Sequence, residues 1–71
     1  MLSNIDRRSR QIESHPNVDH ADLDYDDGEI VVMALCQKFD DDFRQFIEDL
    51  GLSVRSGPKH LGSIGTEVIV G

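Results

Sequence analysis

Residues 23–35 read Leu23-Asp24-Tyr25-Asp26-Asp27-Gly28-Glu29-Ile30-Val31-Val32-Met33-Ala34-Leu35. The first four alternate apolar and acidic, the period of a strand with two unlike faces. Asp27-Gly28 suits a two-residue type I′ turn, which needs positive φ at both central positions. The run after it is β-branched and aliphatic. The stretch therefore predicts a β-hairpin. A loop at Asp27-Gly28 sets Asp26 opposite Glu29, Tyr25 opposite Ile30, Asp24 opposite Val31, Leu23 opposite Val32 and Asp22 opposite Met33. Side chains alternate across the pleat. One face then holds Ala21, Leu23, Tyr25, Ile30, Val32 and Ala34, and is expected to be core. The other holds Asp22, Asp24, Asp26, Glu29, Val31, Met33 and Leu35, half acidic and half apolar.

Outward from the hairpin, 38–51 is the clearest helix. Phe39, Phe43, Phe46, Ile47 and Leu50 fall on one helical face. Asp40 is the expected N-cap, and Asp41 and Asp42 lie in the first turn, where the helix dipole favours negative charge. Gly51 is placed to end the helix. On the other side, 3–14 reads as a thinner helix, with Leu2, Ile5, Ser9 and Ile12 on one face and Ser3 with Asp6 as a capping box. Pro16 ends it. Toward the C-terminus, 52–55 and 66–70 are strand candidates. Ser56 to Gly65 holds three glycines and a proline and reads as a ten-residue loop. The order is α-β-β-α-β-β. It predicts a single α+β domain over 1–71 with an antiparallel sheet and both helices on one face.

Charge is concentrated in the middle of the chain. Between Val18 and Asp49 eleven acidic side chains face two basic ones, Lys38 and Arg44, within a chain of net charge −7. The flanks are mildly basic, with Arg7, Arg8 and Arg10 on the first helix. A negative field of this kind repels nucleic acid and membrane surfaces and attracts basic proteins. The arginine cluster is expected to pair with the acidic strand, within the chain or across a subunit contact. The longest apolar run, Ile30 to Cys36, is far short of a membrane span. One cysteine, Cys36, excludes an internal disulfide and suggests a reducing, cytoplasmic setting. In its apolar run the thiol is expected to be a buried small hydrophobe.

Catalytic and metal patterns are absent from the sequence. An EF-hand frame started at Asp22 puts Asp27 where glycine is required and Met33 where a bidentate glutamate is required. His15, His20 and His60 follow no ligand spacing. Ser63 stands in no nucleophile elbow, and the glycine-rich segment lacks the lysine of a phosphate loop. No cofactor, metal or enzymatic activity is expected, apart from a weak exposed cation contact at the hairpin.

The expectation is a small acidic binding protein. Asp22, Asp24, Asp26, Asp27 and Glu29, with Asp41 and Asp42 adding field, would engage a basic partner. In its sharpest form the acids imitate nucleic acid and block a phosphate-binding groove, as phage or mobile-element inhibitors such as anti-CRISPR or anti-restriction proteins do as a class. The alternative is a small structural or regulatory subunit that forms a homodimer through Val31, Met33 and Leu35, an apolar patch rimmed by charge.

Overall fold

The computed structural model describes residues 4–71. Its elements are α1 (Asn4–Glu13), β1 (Val18–Asp26), β2 (Glu29–Cys36), α2 (Asp41–Asp49), β3 (Val54–His60), a 3-10 turn (Gly62–Ile64) and β4 (Thr66–Val70). The four strands form one antiparallel sheet in the order β1-β2-β4-β3. This is the α-β-β-α-β-β antiparallel domain that the sequence predicts. The proposed cap at Ser3 and the contribution of Leu2 lie outside the described residues.

The hairpin has the register read from the sequence, from Asp22 opposite Met33 to Asp26 opposite Glu29. Asp27 and Gly28 have φ of 52° and 83°, the left-handed pair that a type I′ turn requires. α2 begins where Asp40 accepts the Phe43 N–H at 2.9 Å. It ends where the Gly51 N–H reaches the Glu48 carbonyl and the Leu52 N–H the Ile47 carbonyl, a Schellman closure with Gly51 at positive φ.

Both helices lie over the face that carries Ala21, Val32, Ala34, Cys36, Val68 and Val70. Ile12 from α1 and Phe43 and Ile47 from α2 complete that core. His15 joins the two helices. Its ring packs on Phe43 and Phe46, with centroids 5.2 and 4.5 Å away, and its Nδ1 accepts the Asn17 N–H at 3.0 Å. Asn17 then carries the β1-β2 pairing past the end of the strands. Its side-chain oxygen accepts the Lys38 N–H, and its amide donates to the Lys38 carbonyl. Cys36 is fully buried and reaches the Thr66 carbonyl. Burial pushes its thiol pKa up, and the nearby Asp19 and Asp40 carboxylates push the same way against an opposing backbone contact.

Three expectations are corrected. The first is the loop at 56–65, whose first half, 56–60, is strand. β3 continues through Gly57 and Pro58 by means of bulges, so that Ser56 faces Ile69 and Lys59 faces Glu67. Three steps on β3 are matched by two on β4. The bulge tolerates proline because β3 is an edge strand with no partner for the missing N–H. Gly57 has φ 92°, and a Cβ there would lie 2.8 Å from the Glu67 carbonyl oxygen, so the close approach requires glycine.

The second correction concerns the end of the expected core face. Leu23, Tyr25 and Ile30 keep 40%, 73% and 46% of their surface. The helices cover the sheet only as far as Ala21 and Val32, and the hairpin continues past them as an arm. The third concerns Val31, which is only 1% exposed although it lies on the face away from the helices. Gly71 and the stem of Arg55 lie beside it. A Cβ at Gly71 would meet Arg55 Cδ at 2.9 Å and Val31 Cγ1 at 3.1 Å, which places the arginine stem beside Val31.

Candidate functional site

Among the described residues, no element lies over the face of the sheet opposite the helices. Its centre is Met33 and Leu35 of β2 and Ile69 of β4, all half-buried, with Met33 paired to Ile69 and Leu35 to Glu67. Its wall on the β1 side is His20, Asp22, Asp24 and Asp26, and Glu29 stands at the turn end. Asp22, Asp24 and Asp26 project at every second residue, about 6.6 Å apart along the strand.

These carboxylates are not equivalent. Asp26 and Glu29 are held by Arg55, whose Nη1 donates to Glu29 at 2.7 Å and whose Nε lies 3.4 Å from Asp26. The Glu29 hydrogen bond, followed by the charges of Glu29, Asp26 and Asp27, raises the guanidinium pKa above its usual value. The one ionisable group beside Asp22 among the described residues is the His20 ring at 3.9 Å, and that ring also lies 3.7 Å from Glu13. Asp24 and Asp27 make no ion pair among the described residues. Arg7, Arg8 and Arg10 do not pair with any hairpin carboxylate. The intramolecular pairing expected of them is absent, because α1 lies on the far face of the sheet from the acidic wall. The cation that does reach the hairpin is Arg55, which the sequence reading passed over. Its position depends on a strand pairing between residues far apart in the chain, and no local pattern signals it.

Asp22 and Asp24 also have a backbone role. β1 is an edge strand, and its odd residues turn their N–H groups outward. Asp22 accepts the Leu23 N–H at 2.8 Å and Asp24 accepts the Tyr25 N–H at 2.8 Å. Glu13 reaches from α1 to accept the Ala21 N–H at 3.2 Å. Three successive outward donors are thus taken by carboxylates. An edge so covered is a poor template for another strand.

Asp41 and Asp42 are exposed in the first turn of α2. They lie at the other end of the sheet from the hairpin turn, because β2 runs from Glu29 by the turn to Cys36, whose thiol feels Asp40 and Asp19. The eight residues of β2 span roughly 23 Å. Asp22, Asp24, Asp26, Asp27 and Glu29 are brought together; the helix-start pair is not. Among the described residues no three of histidine, cysteine, aspartate and glutamate are grouped to hold a metal ion, and no pocket opens. Among the described residues no helix is long and apolar enough to cross a membrane.

Fold and surface together define a small α+β domain with one bare sheet face, apolar at its centre and acidic along one side. No protein-family model, no curated protein and no solved structure matches the chain.

Proposed function

We infer that the protein is a non-catalytic binding module whose open sheet face docks on a basic protein surface. One observation carries the reading. Met33, Leu35 and Ile69 form an uncovered apolar centre, and beside it Asp22 and Asp24 are exposed with no arginine or lysine partner. Apolar centres with polar rims are the anatomy of protein interfaces, and unpaired carboxylates at the rim steer a cationic partner into place. The acidic wall comes from the hairpin alone, so nucleic-acid mimicry takes a short form. A single line of carboxylates would compete for a basic groove of a nucleic-acid-binding protein, with Asp41 and Asp42 adding only a distant field. Dimerisation through Val31, Met33 and Leu35 is the weaker reading, because Val31 has no surface to contribute.

The test is affinity capture on the immobilised protein at low and high ionic strength, with wild type, the Asp22→Asn/Asp24→Asn double variant and Met33→Glu. Asparagine keeps an oxygen for the edge N–H groups and removes only charge. Capture of a basic protein that is lost at high salt, in the asparagine variant and in Met33→Glu supports the reading. Capture indifferent to all three overturns it.

A further inference from the structure

The far side of the hairpin arm presents a second surface, distinct from the open face. Leu23, Tyr25 and Ile30 lie together there, with Leu23 and Tyr25 two residues apart on β1 and Ile30 paired to Tyr25. All three are exposed on the side of the sheet that, nearer the base, is covered by helices. An apolar group of this kind at the end of a projecting arm marks a contact, and tyrosine is favoured at such contacts. The charges beside it identify the occupant. β1 is the edge strand, so Asp22 and Asp24 border this surface along the rim of the arm. On the same side of the sheet, α1 exposes Arg7 and Arg10, one helical turn apart, and neither pairs with a hairpin carboxylate of its own chain.

We propose that the occupant of the arm is the first helix of a second copy of this chain. In an isologous two-fold dimer the arm of each copy lies along α1 of the other. Leu23, Tyr25 and Ile30 supply the apolar contact. Arg7 and Arg10 of one copy reach around the β1 rim to Asp22 and Asp24 of the other, and the same contact occurs twice. Met33, Leu35 and Ile69 stay outside the interface, whereas Asp22 and Asp24 are shared with the proposed partner site, so a basic partner and the second copy compete for them. Acid and base that cannot meet within one chain meet between two.

Two copies each of charge −7 repel at long range. Salt therefore acts on the dimer with both signs, and charge exchange is the diagnostic. The experiment is sedimentation velocity on the purified full chain up to about 1 mM, the weak end of specific association. Wild type is expected to be a dimer. Tyr25→Glu, at a site too exposed to threaten folding, should weaken the dimer at least about a hundredfold. Arg7→Glu/Arg10→Glu alone and Asp22→Lys/Asp24→Lys alone should each be monomeric. Mixed one to one they should form a heterodimer, because both contacts then join opposite charges. A monomeric wild type throughout that range overturns the proposal. So does a dimer that survives Tyr25→Glu, or the absence of a heterodimer from two variants that each show a folded spectrum by circular dichroism. Self-association is read on the purified chain alone, so failure here leaves the open-face reading standing, and failed capture leaves the dimer standing.

Discussion

Arg55 decides how much of the hairpin's charge is available. Its guanidinium holds Asp26 and Glu29, and its stem lies beside Val31 and Gly71. Long cationic side chains often work through their methylenes as well as their charge, and the two parts can be separated. Arg55→Met should keep most of the stem beside Val31 and hold the melting temperature close to wild type. Arg55→Ala should lower it by roughly a few degrees. Both variants release two carboxylates and should bind a basic partner more tightly at low salt. An alanine variant that melts like wild type would remove the packing role.

Cys36 makes a second residue-scale prediction. A thiol is neutral when protonated, and burial raises its pKa in the folded chain above the ordinary 9.0. The folded protein then keeps its proton where the unfolded chain has lost it. The stability from this group is full below the ordinary value and is lost as pH rises through the folded value. Denaturation of wild type and Cys36→Ala in parallel should show their difference shrinking above about pH 9, the ordinary thiol range. A constant difference would contradict the assignment. At this scale the sequence was legible where neighbours decide the outcome. Asp40 as a cap, the Asp27-Gly28 turn and the buried thiol all depend on residues within a few positions. Val31 beside Arg55 depends on two strands brought together by the whole sheet, and no window of sequence shows that.

The elements were legible to the extent that their periodicity is regular. The hairpin register follows from a two-residue turn, and α2 follows from its phenylalanines. β3 was hidden because its bulges interrupt the alternation at Gly57 and Pro58, where the composition of a loop serves an edge strand. β1 shows one set of residues with two uses. Its alternating aspartates form the wall of the open face and also occupy the outward N–H groups of Leu23 and Tyr25. Asp22→Ala/Asp24→Ala should expose those donors beside uncovered apolar side chains. Faster association into β-rich aggregates is expected, read by light scattering and thioflavin fluorescence. Asp22→Asn/Asp24→Asn keeps the acceptor oxygens and should aggregate no faster than the lower charge alone implies. Equal aggregation of the two variants would show that charge, and not donor capping, protects the edge.

Across the whole molecule the charge pattern of the sequence is redistributed by the fold. Of the eleven acids in one central stretch, five gather on the hairpin (Asp22, Asp24, Asp26, Asp27 and Glu29) and three form a separate group at the start of α2 (Asp40, Asp41 and Asp42). The sequence shows how much charge the middle of the chain carries. Only the path of β2 shows that the two groups lie at opposite ends of the sheet. For the same reason the helix-covered face could be identified but its extent could not. Alternation assigned Leu23, Tyr25 and Ile30 to the core side, and only the reach of two short helices leaves them outside it.

The most direct measurement is a two-dimensional amide NMR titration of the protein with a short oligolysine peptide as the basic probe. The account predicts that the amides of 20–26, Met33, Leu35 and Ile69 shift together and saturate with one affinity, that the first turn of α2 moves weakly, and that Asp22→Asn/Asp24→Asn abolishes the shifts. Shifts centred on Asp41 and Asp42 with the open face unmoved would contradict it.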